Sequence, residues 1–243
     1  MEPITILIPS WKRRRFLPLL ISNLKHQQYP HDLLTVIIDD DGIEKAEDQL
    51  IKDDKELQEI QEHLQPIQLQ YNKSSTRKTI GKKRNELIKQ CKTKIFAFMD
   101  TDDLYLPSYL TYSIDLLKSK KVGCVGSDQM LFCMTDKNFD INYIQCGGNI
   151  ELIHEASIVA TKKWYKSTCG FANNSAGEGK NLFQGVSKDT VAVSDIRQCM
   201  ICIQHSGNTI DKLRFAKEEN KLDFKMDPNI IKLLNVILDY KDE

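Results

Sequence analysis

The chain of 243 residues has no net charge, because Lys and Arg number 34 and Asp and Glu also number 34. No global field attracts a polyanion, and the one basic run, Lys12-Arg13-Arg14-Arg15, lacks interleaved aromatics, so no nucleic-acid partner is expected. No apolar stretch approaches the roughly 18–20 residues that span a bilayer. No charged-then-apolar leader precedes the strand-like run that begins at Ile4. The expectation is a soluble, unsecreted, cytoplasmic chain with no transmembrane segment. Phosphate-cradling glycines are missing too. Neither G-x-G-x-x-G nor G-x-x-x-x-G-K-[ST] occurs, which argues against a dinucleotide dehydrogenase and a P-loop nucleotidase. A diphosphate site without such a loop must rely on a metal and basic side chains. The seven cysteines stand singly apart from Cys199-x-x-Cys202, which lies inside an apolar run with no second pair to complete a zinc set. They read as core thiols of a reducing compartment.

What the chain does have is acid at the ends of apolar runs. Residues 95–99 are continuously apolar, as in a central strand covered on both faces, and Asp100, Asp102 and Asp103 follow at once. The carboxyl edge of an open α/β sheet is where ligands bind. Carboxylates this close repel one another, and a cation relieves that repulsion. Oxygen ligands suit Mg²⁺ or Mn²⁺, which also hold phosphates. The alternative is a solvated acidic turn before a helix begun by Pro107.

Upstream, an apolar run at 4–8 closes at Pro9 and Ser10, and Phe16, Leu17, Leu20, Ile21 and Leu24 recur at helical spacing. A second run at 33–38 ends in Asp39-Asp40-Asp41-Gly42. An amphipathic helix is predicted over 44–64, a strand at 67–69 and a helix over 80–91. The order βαβαβαβ, complete by residue 99, predicts a mostly parallel sheet covered by helices on both faces, with its polar loops on one rim. Further on, the pattern predicts a helix carrying Tyr109 to Leu117 and a strand at 122–125. Short runs follow near 130–134 and 141–145, then a strand at 157–160 and a helical turn at 162–166. A loop rich in Gly, Asn and Ser covers 169–179. Strands at 190–193 and 199–204 and a closing amphipathic helix through Ile230 and Leu238 complete the chain. The length fits one domain.

The segments 4–11, Gln28-Tyr29-Pro30 and 36–42 resemble, in that order, the I-P-x-Y, Q-x-Y-P and V-D-D-G-S segments of family-2 glycosyltransferases. Gly81-Lys82-Lys83-Arg84-Asn85 followed by residues 94–103 is similar to that family's G-x-x-x-A-R-N helix and F-L-D-x-D-D strand end, with its D-x-D. Residues 157–171 resemble a stretch ending W-x-x-x-G-G-F, Glu178 stands where an E-D pair is usual, and residues 204–209 look like R-x-H-x-x-N-x-S. The resemblance covers about residues 1–210. It implies an α/β fold of the GT-A type, a Rossmann-like nucleotide-diphospho-sugar transferase with a mostly parallel central sheet flanked by helices. Residues 1–125 would then form the nucleotide-binding half, 126–215 the acceptor half and 216–243 a helical tail.

The same resemblance implies roles. Asp41, with Asp40 adjacent, would hydrogen-bond the nucleotide base, which Pro9, Ser10 and Trp11 would line. Arg84 would lie near base and phosphates, with Asn85 capping or packing its helix. Asp100, Thr101 and Asp102 would approach the ribose and metal. Asp102, Asp103 and His205 would ligate Mn²⁺ or Mg²⁺, and Arg13, Arg84 and Lys12 would help hold the diphosphate of a UDP-sugar. The expected reaction is inverting transfer to a hydroxyl of a glycan, lipid or protein, with a carboxylate as general base. Here the chain departs from the pattern, because Glu178 is followed by Gly179 where the basic Asp is usual. Glu178, Asp189 or Asp195 would have to supply the base, or the protein is a nucleotide-sugar-binding or scaffold module with impaired transfer. A phosphoacceptor signalling domain would leave the second half of the chain without purpose.

Overall fold

The computed structural model describes residues 1–136, 138–205, 208 and 217–239. The strands β1 (Ile4–Ser10), β2 (Leu34–Asp40), β3 (Gln68–Lys73) and β4 (Ile95–Phe98) alternate with the helices α1 (Leu17–Lys25), α2 (Asp54–Leu64) and α3 (Ile80–Gln90). Then come β5 (Leu104–Tyr105), α4 (Tyr109–Ser119), β6 (Cys124–Gly126) and the hairpin of β7 (Gln129–Met134) and β8 (Asp140–Gln145). The remaining elements are β9 (Val159–Thr161), α5 (Lys162–Tyr165), α6 (Gly179–Phe183), β10 (Val191–Val193), β11 (Met200–Gln204), β12 (Lys221–Leu222) and α7 (Pro228–Asp239). Among the described residues no helix is long and apolar enough to cross a membrane.

The large sheet has the order β10-β6-β9-β4-β1-β2-β3. β1 pairs in parallel with β2 and β4, as β2 does with β3 and β6 with β10. β9 alone is reversed, running antiparallel to both β4 and β6. Its direction matters for the site: residues just before β9 reach the rim that carries the ends of β4 and β6. The central strands β1 and β4 are buried on both faces, which is why they read as unbroken apolar runs. Ile4, Ile6 and Ile8 face one core with Leu19, Leu20 and Leu24 of α1, while Leu7 faces the other with Leu87 and Ile88 of α3 and Phe96 and Phe98 of β4.

The smaller sheet, β12-β8-β7-β11-β5, takes four strands from the chain beyond residue 126 and the fifth, β5, from directly after the acidic turn. β11 runs antiparallel to β5, with Ile201 opposite Leu104, so the residues after β11 return to the residues before β5. The helix predicted over 44–64 forms only from Asp54. Asp53 caps its first turn by accepting the Glu56 N–H at 2.9 Å, and the segment ahead of it is drawn inward as Leu50 and Ile51 become fully buried. The anchor is Asp40, whose Oδ2 accepts the Leu50 N–H at 2.8 Å. Ser206, Gly207 and Thr209, singled out beside His205, lie outside the described residues, as do 216 and 240–243 of the expected tail.

Candidate functional site

The ends of β1, β2 and β4 bring three polar segments onto one rim, held together by their own backbone. Met99 N–H donates to the Leu7 carbonyl at 3.1 Å, and Thr101 Oγ1 donates to that of Pro9 at 3.4 Å. At the end of β2 all three acids are buried and partnered. Asp39 pairs with Lys78 at 2.8 Å. Asp40 turns inward, accepting from Leu50 N–H and from Tyr71 Oη at 2.7 Å, and burial pushes its carboxyl up against the opposing effect of those bonds. Asp41 accepts the Lys78 N–H at 2.8 Å and binds Lys83 Nζ at 2.6 Å, and Lys83 Nζ also reaches the Ser10 carbonyl. Asp40 thus anchors the 43–53 segment. The open surface of this corner belongs instead to Trp11, over which the Arg77 guanidinium stacks at 3.4 Å.

The basic run divides its work. Lys12 pairs with Glu44 and Asp48 at 3.5 and 3.6 Å, and Arg14 makes a two-pronged pair with Glu56 at 2.7 Å. Arg13 and Arg15 face the acidic turn. Arg13 Nε donates to Asp102 Oδ2 at 2.6 Å, and Arg15 Nη2 lies 3.2 Å from His205 Nδ1. His205 Nε2 lies 3.2 Å from the same Asp102 oxygen, because the antiparallel pairing of β11 with β5 returns the chain to this point. Asn208 steadies the return, accepting the His205 N–H at 2.5 Å and donating to the Ile203 carbonyl at 3.2 Å. Arginine can only donate, so Nδ1 accepts and the ring proton sits on Nε2, directed at Asp102. Burial alone would raise the Asp102 pKa, but the His205 bond and the Arg13 charge outweigh it and hold the carboxyl well below the usual range.

Asp103 departs from its expected place. Its Oδ1 accepts the Ile203 N–H at 3.1 Å and its carbonyl accepts Asn23 Nδ2 at 2.8 Å, so it fastens β11 and α1 to the acidic turn. Among the described residues no three His, Cys, Asp or Glu side chains form a group able to hold a metal ion. Of the three ligands expected from the sequence, Asp102 and His205 lie in contact, while Asp103 Oδ1 is engaged by the backbone of β11.

Behind this pair lies the buried Arg84, presented by α3. Its Nη2 contacts both oxygens of Asp100 at 3.1 and 3.2 Å, its Nε lies 3.5 Å from Glu178, and its guanidinium covers the Phe98 ring at 4.7 Å. Nη1 is buried with no hydrogen-bond partner among the described residues. Burial raises the Asp100 carboxyl despite the opposing Arg84 charge. Asn85, next on the helix, packs as expected: its side chain donates to the Phe171 carbonyl at 2.9 Å and accepts from Phe171 N–H and Tyr165 Oη at 2.9 and 2.6 Å.

Gly81 lets the loop holding Glu178 dock on α3. A Cβ there would sit 1.8 Å from the Ala172 carbonyl oxygen, and this loop is itself closed by Ala172 N–H donating to the Glu178 carbonyl at 3.0 Å. Backbone cannot yield cheaply, so Gly81→Ala is expected to lower stability by about 1–3 kcal/mol, read as a lower urea midpoint with unchanged slope.

Two candidate bases do not join the cluster. Asp189 is exposed, in the turn that leads into β10, so it sits at the opposite edge of the sheet from Asp100. Asp195 is clasped by Arg197 at 2.8 Å, and that hydrogen bond holds its carboxyl below the ordinary value, making it a weak proton acceptor. The structure adds Lys83 and Arg15 to the residues expected at the site. A signal for Lys83 existed: Lys83 and Leu87, like Arg84 and Ile88, are four residues apart and share the buried face of α3.

The sequence model of glycosyl transferase family 2 matches residues 5–155. No curated protein matches the chain. Among solved structures, residues 1–349 of S. aureus TarS are similar with a TM-score of 0.60 at 14% identity, over 83% of this chain and 60% of that one. The same protein in complex with UDP-GlcNAc gives 0.60 at 14%, over 85% and 60%. The mannosyltransferase PcManGT from Pyrobaculum calidifontis, in complex with GDP-Man and Mn²⁺, gives 0.61 at 14%, over 84% and 57%. The chain thus spans only 57–60% of the length of these relatives. The likeness is one of fold, the α/β GT-A arrangement.

Proposed function

The chain belongs to glycosyl transferase family 2, and from that premise we propose that it moves a sugar from a nucleotide-sugar, a UDP-sugar, to a hydroxyl acceptor with inversion, assisted by Mn²⁺ or Mg²⁺. Residues 1–125 would hold the donor, 126–215 would shape the acceptor side, and 216–243 would close the unit. The observation that carries the reading is the meeting of Asp102 and His205 at 3.2 Å across 103 residues of chain, on the rim of the sheet and between two arginines. A structural neighbour solved with GDP-Man and Mn²⁺, and another solved with UDP-GlcNAc, support the donor class.

The donor atoms fit a cation as a partial shell. One carboxylate and one imidazole would hold Mn²⁺, a transition-metal ion that takes nitrogen as well as oxygen ligands, more readily than Mg²⁺, whose preference is for oxygen. Ligation through Nε2 requires the ring proton to sit on Nδ1, so Arg15 would have to release the ring. Once bound, the cation would supply positive charge to the leaving diphosphate. Arg13 and Arg15, freed from Asp102 and His205, would bind phosphate oxygens through their guanidinium forks. Arg84, with Nη1 unpartnered among the described residues, would hold Asp100 in place and offer a further donor. Trp11 and Arg77 form the face on which the base would stack, with Asp41 and Lys83 beneath as a fixed support.

Gly179 favours a second reading, a donor-binding module without efficient transfer. Both are tested by incubating the protein with a panel of nucleotide-sugars, with Mn²⁺ and with EDTA, and measuring nucleotide release and donor affinity. Metal-dependent release from one UDP-sugar is expected. Binding without release would favour the module, and neither binding nor release from any donor would sink the enzyme reading.

A further inference from the structure

The carboxylate absent at position 179 has a spatial replacement. A Cβ built on Gly179 would lie 2.4 Å from Glu155 Oε1, 2.8 Å from its Cγ and 2.9 Å from its Cδ. The space that an acidic side chain at 179 would enter is filled by the Glu155 carboxylate, so a side chain at 179 would have to displace it. We propose that Glu155 is the general base of the transfer reaction, delivered to the acceptor side from the turn before β9 instead of from α6. This rests on the transferase reading above.

The fold explains how a residue so far from Gly179 in sequence comes to serve there. Because β9 runs antiparallel to β4 and β6, the turn Glu155–Ser157 that precedes it lies on the same rim as the ends of those strands. One hydroxyl ties it to the acidic turn: Tyr105 Oη donates to the Ala156 carbonyl at 3.0 Å and accepts the Asp100 N–H at 2.8 Å. Glu155 Oε1 accepts the Gly179 N–H at 3.0 Å, which fixes the carboxylate at the first residue of α6.

The charged groups that face Glu155 are Glu178 from the loop before α6 and Arg84 from α3. Burial and the Glu178 charge raise its carboxyl above the ordinary value, while Arg84 and the backbone N–H bonds oppose them. A carboxylate raised in this way accepts a proton more readily than the Arg197-clasped Asp195. Glu178 holds Arg84 at 3.5 Å and acts as the positioning partner.

In the step proposed, an acceptor O–H proton passes to a Glu155 carboxylate oxygen as the acceptor oxygen bonds the anomeric carbon. The bond from that carbon to the diphosphate oxygen breaks, and the nucleoside diphosphate leaves with the electron pair. Water in place of the acceptor gives hydrolysis by the same balance, so the test needs no known acceptor.

The UDP-sugar giving the fastest nucleotide release with Mn²⁺ is the probe. Glu155→Gln keeps an oxygen for the Gly179 N–H but cannot take up the proton. It is expected to lower kcat for nucleotide release by ~10²-fold or more, within the ~10²–10⁴ range of general-base catalysis, while donor affinity stays within about twofold. The acidic limb of the kcat/KM profile should disappear with it. The double variant Glu155→Ala, Gly179→Asp moves the carboxylate across the same gap and should recover at least tenfold over Glu155→Ala. Release by E155Q within threefold of the unsubstituted protein would overturn the proposal. So would a double variant that binds donor but gains nothing over E155A, and this comparison decides should E155Q fail to fold. An unsubstituted protein that neither binds nor cleaves any donor would overturn the transferase reading itself, which is a different result.

Discussion

Lys83→Met is expected to destabilise the protein by about 3–4 kcal/mol at pH 7, near the cost of leaving one member of a buried ion pair without its partner. Lys83 and Asp41 have side-chain exposures of 3% and 0%, and Lys83 Nζ also satisfies the Ser10 carbonyl. Two opposing effects set the magnitude. Burial drives the Lys83 ammonium down from its ordinary value, whereas Asp41, with Asp39 and Asp40 nearby, pulls it up, and burial prevails. The pair as a whole therefore adds little net stability, but its separation is costly because Asp41 remains in a dry site. The loss has a ceiling. A stranded carboxyl can take up a proton, and going from an ordinary pKa of ~3.9 to pH 7 costs about 4 kcal/mol at ~1.4 kcal/mol per unit.

That ceiling predicts a pH signature with a definite sign. If the folded variant carries a neutral Asp41 while the unfolded chain is ionised, the folded state binds the extra proton and stability falls as pH rises. Moving from pH 7 to pH 5 should therefore recover about 2–3 kcal/mol of the deficit, and Lys83→Met with Asp41→Asn should recover most of it at pH 7. Urea unfolding of the protein and its variants at the two pH values is the measurement. A deficit that does not change between pH 5 and pH 7 would show that the Asp41 charge is not what the variant exposes.

The same residues show what was legible in the sequence. Acids directly after apolar runs placed Asp39 to Asp41 and Asp100 to Asp103 on one rim, because period and turn chemistry are local properties. Which acid faces outward is not local. Asp40 is claimed by Leu50 N–H and Tyr71, and Asp103 by Ile203 N–H, partners 10, 31 and 100 residues away. His205 was readable as a candidate, yet its position at Asp102 depends on an antiparallel pairing of β11 with the two-residue strand β5, too short to leave a pattern. The run Lys82-Lys83-Arg84 resembles a solvated surface, but Lys83 and Arg84 are buried. Glu155 had no sequence signal at all. Only the fold brings its carboxylate to the space beside Gly179.

Asp102→Ala is expected to reduce metal-stimulated nucleotide release by ~10²–10³-fold, the loss of several kcal/mol of charge stabilisation at the leaving diphosphate. Because His205 and Arg13 hold the Asp102 carboxyl low, its charge also supports the folded state, so urea unfolding of the variant is measured beside its activity to separate lost folding from lost catalysis. Two explanations of such a loss make different predictions about metal. If Asp102 serves as a ligand, the variant's remaining activity should need far more Mn²⁺ for half-stimulation, and EDTA should silence the unsubstituted protein. If instead Asp102 serves only to hold Arg13 and His205 in place for the diphosphate, EDTA should change little in either protein. Arg13→Gln then separates them further. Its removal frees Asp102 Oδ2 from a 2.6 Å contact, so a ligand role predicts tighter Mn²⁺ binding together with weaker donor binding. A positioning role predicts weaker donor binding alone. Titrating Mn²⁺ and donor against the unsubstituted protein, Asp102→Ala and Arg13→Gln therefore decides whether the charge facing the leaving group comes from a cation between Asp102 and His205 or from the two arginines that now occupy their polar atoms.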